Sequence, residues 1–141
     1  MTGLDDRDRQ ELRVLVERYA RAADRRDGMQ FAEVFTEDGI LVVGEHEMRG
    51  RDELSRIPPR LSRYRVTVHV VTNHFVELVD ADTATGEVLG TASHVHELEG
   101  VERVHVIHLR YDDRYRRVAG AWRIEQRRLV VLFEEDHPLQ T

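Results

Sequence analysis

Hydrophobic positions change their period once along the chain. Through about residue 35 they recur every three or four residues. Leu12, Leu15, Val16, Tyr19, Ala20 and Ala23 make one stripe, with arginines on the other side. This spacing predicts a long helix with Asp5 or Asp6 as its cap, acids at 5, 6 and 8 at the positive end of the dipole, and Gly28 as its stop. A second short helix is expected in MQFAEVF, with Phe31, Val34 and Phe35 as its apolar face and Glu37-Asp38-Gly39 as the closing turn. From residue 40 the period is two. Strands are expected at Ile40–Val43, Val66–Val79, Ala84–Leu98, Val104–Val118 and Trp122–Glu134, with turns at Gly44–Met48, Asp80–Thr83, Glu99-Gly100 and Ala119-Gly120. Gly50-Arg51-Asp52-Glu53-Leu54 reads as a brief helix ended by Pro58-Pro59, and the tail DHPLQT as frayed.

Helices followed by a long antiparallel meander give an α+β pattern rather than βαβ units. Strands this long must twist and curve. A curved sheet wrapped around the first helix makes a cone whose open mouth is the expected place for an apolar pocket. Gly86 and Gly90, within one strand, suit a bend or a close backbone approach. No internal repeat, low-complexity tract or linker interrupts the 141 residues, so residues 1–141 read as a single domain. At that size about two-thirds of the unfolded surface is buried on folding.

Composition narrows the function classes. There is no cysteine, which excludes disulfides, thiolate metal sites and cysteine nucleophiles. Lys and Arg total 21 and all are arginine, so Schiff-base and lysine-nucleophile chemistry drops out. Net charge is −6, with the arginines scattered among acids, which argues against a nucleic-acid partner. No apolar run reaches the ~18 residues of a membrane span, and the charged start is unlike a signal peptide, so a cytoplasmic protein without membrane contact is expected. Phosphate-binding, dinucleotide and nucleophile-elbow motifs are missing.

The remaining chemistry lies in a few side chains. Asp24 sits one turn after Ala20 and two after Val16; it either points at the sheet or faces solvent at the helix end. His69 lies among valines and is either a satisfied core residue or a catalyst. If the two share the pocket, the carboxylate fixes the ring tautomer and makes a general base. His94 and His96 share one face of a strand as a polar pocket wall or half of a metal site, whereas His105 and His108, three apart, point to opposite faces. Arg110, Arg114 and Arg116 alternate opposite Tyr111 and Tyr115, as a solvated surface or an anion clamp.

One ordered set of motifs carries a resemblance. Tyr19, Ala22 and Asp24 in Y-x-x-A-x-D are followed by FAEVFTEDG, GRDEL, H-V-V-T-N from His69 to Asn73, VELVDADTA and LRYDDRYRRVAGAWRIEQRR. From about residue 8 to residue 133 the chain resembles the SnoaL-like domains of the nuclear-transport-factor-2-like superfamily. Relatives there include scytalone dehydratase, steroid delta-isomerase and hexachlorocyclohexane dehydrochlorinase. The resemblance implies a cystatin-like α+β barrel, a homodimer or homotrimer, no cofactor and no metal. It further implies a lyase or isomerase acting on a small hydrophobic, polyketide- or steroid-like molecule. Asp24 and His69 fall on the aspartate and strand histidine of the dehydratase and dehydrochlorinase branch. Arg127, with Arg128 as the other choice, matches an arginine after W-R-I. Tyr19, Tyr64, His94 and His96 are the implied substrate-binding positions. Ala23 stands where scytalone dehydratase has a tyrosine, a departure from that enzyme's mechanism. The other function class open to this fold is a non-catalytic module that binds an apolar ligand in the same cone; a purely structural oligomerisation domain is the third.

Overall fold

The computed structural model describes residues 4–140. Helix α1 (Asp6–Asp24) starts where Asp5 accepts a hydrogen bond from the Asp8 backbone N–H. Leu12, Leu15, Val16, Tyr19, Ala20 and Ala23 are all buried, as the stripe predicts. Full burial of a Leu or Val side chain contributes roughly 1.5–3 kcal/mol. Asp8 does more than meet the helix dipole. Its carboxylate accepts from Trp122 Nε1 at 2.9 Å and Arg117 at 3.0 Å, and the indole bond above all holds it below the usual carboxylate range.

The helix stops at Asp24, before Gly28. Arg26 takes the left-handed conformation (φ 58°), and the Asp27 N–H turns back to the Ala22 carbonyl at 2.9 Å. Gly28 instead opens α2 (Gly28–Glu33), which Asp27 caps through the Gln30 N–H. A β-carbon at Gly28 would lie 2.0 Å from the Ser55 carbonyl oxygen, so glycine is needed here for close packing.

The remaining elements are β1 (Phe35–Val43), β2 (His46–Arg49), α3 (Gly50–Ser55), α4 (Ile57–Arg60), a 3₁₀ turn (Leu61–Arg63), β3 (Val66–Asp80), β4 (Thr83–Leu98), β5 (Val101–Val118) and β6 (Ala121–Pro138). The order across the sheet is β2-β1-β6-β5-β4-β3, with β1 parallel to β6 and every other pair antiparallel. Several expectations change. His46–Arg49 forms β2, so the turn expected at Gly44–Met48 is confined to Gly44-Glu45. Phe35 opens β1 instead of lying on the second helix. Glu37-Asp38-Gly39 lies inside β1, where the pairing with β6 shifts register between Phe35 and Ile40. Pro58 and Pro59 occupy the first turn of α4, where a missing N–H costs nothing. The tail is ordered through Pro138, because β6 pairs with β5 as far as Arg103.

The fold is thus α+β, a strongly curved six-stranded mixed sheet around α1, but the sheet does not close into a barrel. At the narrow end, rings fill the concave side. Tyr19 lies 4.6 Å from Phe31 and 5.5 Å from Tyr111, with Phe35 5.8 Å from Phe31. Gly90 permits the closest strand approach: a β-carbon there would sit 2.1 Å from the Val70 carbonyl oxygen. The outer face carries exposed Val66, Val68, Val70, Phe75 and Leu89. Among the described residues no helix is long and apolar enough to cross a membrane.

Candidate active site

Asp24 and His69 meet. The last residue of α1 reaches across to β3, and its Oδ1 lies 2.6 Å from His69 Nδ1. Oδ2 accepts the His69 backbone N–H at 2.9 Å, and the Thr67 hydroxyl donates to Oδ1 at 3.1 Å. A carboxylate only accepts, so Nδ1 carries the ring proton and Nε2 is left as the basic nitrogen. Partial burial opposes the charge on Asp24, but the His69 ring and backbone bonds and the Thr67 bond outweigh it and hold its pKa below the usual range. The His69 side chain is 13% exposed and that of Asp24 25%, so both are reachable from outside. They line an open cleft of about 400 Å³ with Arg13, Ala20, Arg21 and Val71.

Arg26 locks this geometry. Its guanidinium donates to the Asp24 carbonyl at 2.8 Å, the Thr67 hydroxyl at 2.6 Å and the Tyr64 carbonyl at 3.4 Å. One side chain therefore ties the end of α1 to the start of β3. Thr67 was missed in the sequence, although its place two residues before His69 on an alternating strand could have marked it as sharing that face. Arg26 had no such signal, because nothing in the helix pattern shows that its backbone turns left-handed.

Tyr64 and His94 flank the pair. The His94 ring lies 6.0 Å from that of His69 and 4.8 Å from Tyr64, and its buried Nδ1 has no hydrogen-bond partner. Burial, reinforced by neighbouring His69, pushes the His94 pKa down to about 4. His96 shares its face but turns to Asp136 at 3.1 Å, while His105 bonds Glu134 and His108, on the other face, bonds Glu135. Among the described residues no three His, Asp or Glu side chains converge on a metal site.

A model of the SnoaL-like domain matches residues 6–128. The chain belongs to the SnoaL-like domain family. No curated protein matches the sequence. Solved structures similar to this SnoaL-like domain include an NTF2-like protein with a cystatin-like fold from Novosphingobium aromaticivorans, at 27% identity, covering 89% of this chain and 82% of that one, with TM-score 0.68. A candidate scytalone dehydratase from the same organism matches at 19% identity over 94% of this chain and 89% of its own, with TM-score 0.82. The hexachlorocyclohexane dehydrochlorinase LinA-type3 of Novosphingobium barchaimii matches at 20% identity over 94% and 90%, with TM-score 0.78. At 19% and 20% identity the last two likenesses are of fold.

The SnoaL-like domain places Arg127 and Tyr19 elsewhere than the Asp24–His69 pair. Arg127 is fully buried and makes a bidentate pair with Asp113, at 2.8 and 2.7 Å, between the rings of Tyr19 and Tyr111, 4.3 and 4.0 Å from its guanidinium carbon. Tyr115 donates to Asp113 at 2.6 Å and accepts in turn from His74 Nε2 at 2.9 Å. Burial works against the charge on Arg127, but Asp113 overrides it and the guanidinium stays protonated. Neither Arg127 nor Tyr19 hydrogen-bonds Asp24 or His69. The interior expected as an open apolar pocket is therefore packed at this level, and Arg128 points outward. Arg110 and Arg116 pair with Asp112 and Asp38 on the surface, opposite buried Tyr111 and Tyr115.

Two neutral histidines, His94 buried and His74 half-buried, make the fold sensitive to acid. His74, like His94, is pushed down to about 4, chiefly by burial. In the unfolded chain both titrate near ~6.5. Between those values the unfolded state binds protons that the folded state refuses, so stability falls as pH drops below about 6.5, by at most ~3 kcal/mol per histidine. Urea unfolding between pH 7.5 and 4.5 measures the slope. His94→Phe is expected to remove about one proton from it; an unchanged slope refutes the assignment.

Proposed function

We propose that this SnoaL-like domain is a lyase or isomerase that acts on small hydrophobic molecules through proton abstraction by His69. The observation that carries the reading is the 2.6 Å contact of Asp24 with His69 Nδ1, which leaves Nε2 free as a base. In the proposed step Nε2 takes a proton from a carbon acidified by an adjacent carbonyl or a β-leaving group. The electron pair left on carbon forms a double bond as the leaving group departs, or is reprotonated at another carbon. Asp24 stabilises the imidazolium. In this reading neutral His94, whose ring lies 6.0 Å from that of His69, and Tyr64 beside it bond the leaving group or the developing enolate. No step uses a cofactor. Membership of the SnoaL-like family, and likeness to a protein named as a dehydrochlorinase, support elimination chemistry.

Proton abstraction is testable before the substrate is known. A panel of cyclic ketones, β-hydroxy ketones and chlorinated cyclohexanes is incubated with the protein in D₂O and followed by NMR for loss of the acidic C–H signal. The proposal expects exchange or elimination with at least one member, and its loss in His69→Gln. Binding of panel members without exchange, unaffected by His69→Gln, would establish a ligand-binding module instead. No binding and no exchange across the panel also overturns the proposal.

A further inference from the structure

At the other end of the strands lies a second charged cleft. His69 pairs with Ala92, Ala92 with Ile107, and Arg116 is nine residues further along β5. That is about 30 Å of strand away from the Asp24–His69 pair. The cleft, about 530 Å³, is lined by Thr36, Glu37 and Asp38 of β1, Arg51 of α3, Arg116 of β5 and Arg123 of β6.

Its charges are unevenly matched. Asp38 pairs with Arg116 at 3.0 Å, and Arg116 also reaches Glu125 at 3.6 Å. Arg51 donates from Nη2 to the Phe35 carbonyl at 2.8 Å, while its Nε is buried and has no partner. Arg123 donates from Nη1 to the Trp122 carbonyl at 3.1 Å. Neither Arg51 nor Arg123 has a carboxylate within 4.0 Å among the described residues, although the chain carries 27 acids and a net charge of −6. Thr36 is 2% exposed, and its hydroxyl makes no hydrogen bond of good geometry. It lies close enough to Asp38 to help hold that carboxyl below its usual range. Two guanidiniums without a carboxylate partner, one of them with an unpartnered buried Nε, are the donors of an oxyanion site. Glu37 is the one carboxylate of the lining without an ion-pair partner, and it limits the charge the cleft accepts.

We propose that this cleft binds the carboxylate or phosphate group of a small organic anion between Arg51 and Arg123. The site is independent of the Asp24–His69 chemistry and stands or falls separately from it. Occupancy here ties α3 to the start of β6, so it links a ligand to the packing of the sheet.

Titration of the full chain with inorganic phosphate, malonate and chloride, read by calorimetry and by amide NMR shifts, tests it. The expectation is millimolar or tighter binding of phosphate or malonate, with shifts at Thr36, Arg51 and Arg123 and none from chloride at equal ionic strength. Preference for one oxyanion over the other identifies the group. Arg123→Gln is expected to weaken binding about tenfold, the loss of one charge-assisted bond. Arg51→Gln is likewise expected to weaken binding, and the melting temperature of each variant separates lost contact from lost fold. Equal response to all three anions, or binding untouched by both variants, overturns the site.

Discussion

Asp113→Ala is expected to cost about 3–5 kcal/mol of folding stability, because it leaves the Arg127 guanidinium buried without its counter-charge. Arg127 is 0% exposed and cannot shed its proton, so the cell of Tyr19, Tyr111 and Asp113 around it is all the solvation it has. The reverse deletion is milder. In Arg127→Met the Asp113 carboxyl keeps the Tyr115 hydroxyl and can take up a proton, an escape the guanidinium lacks. Arg127→Met should therefore lose less than Asp113→Ala, and its deficit should shrink as pH falls. The double variant Asp113→Leu with Arg127→Met is expected to recover most of the loss, since well-packed apolar groups often replace a buried pair without penalty. Urea unfolding of all three decides. If Arg127→Met keeps full stability and loses only turnover, the arginine serves chemistry and the architectural account is wrong.

The largest effect on activity is expected at the Asp24–His69 pair. For a substrate found by proton exchange, His69→Gln should lower kcat about 10²–10⁴-fold, the usual contribution of a positioned general base. Asp24→Asn should approach the same loss by a different route. An amide in place of the carboxylate can turn its NH₂ toward Nδ1 and favour the tautomer with Nε2 protonated, which is no longer a base. Because both changes disable one unit, the double variant should be scarcely worse than either alone. Losses that multiply would mean that the two residues act separately. Thr67→Val, which removes one bond to the Asp24 carboxylate and the hydroxyl that Arg26 holds, should reduce kcat less than either.

Much of this was legible in the sequence because two periods carry most of it. The helix stripe brought Asp24 into question as a sheet-facing residue without deciding it, and the resemblance paired it with His69 on β3. Alternation fails wherever a strand shifts register. On β6, Trp122 and Ile124 point inward, and strict period two would send Gln126 and Arg128 in after them. The irregularity opposite Arg114/Tyr115 turns Arg127 inward instead. The shift in β3 between Val71 and His74 likewise brings His69 and His74, an odd number apart, to the same side. Asp113 was overlooked because an acid among arginines on a polar strand gives no sign of burial. Its partner is fourteen residues away, and only the pairing of β5 with β6 joins them. The ordered tail was missed for a similar reason: Glu134, Glu135 and Asp136 look soluble until His105, His108 and His96 are set opposite them.

The position of β6 also bears on how the chain acquires its structure. The β1–β2 hairpin and the β3–β4–β5 meander form from neighbouring segments, yet in the sheet they are joined by β6, which follows both in sequence. During translation both halves must wait with open edges until the residues from Ala121 onward leave the ribosome. Contacts that long in sequence form slowly. The nascent protein thus spends its vulnerable interval as two unjoined pieces, and the emergence of β6 is the event that lets the sheet assemble.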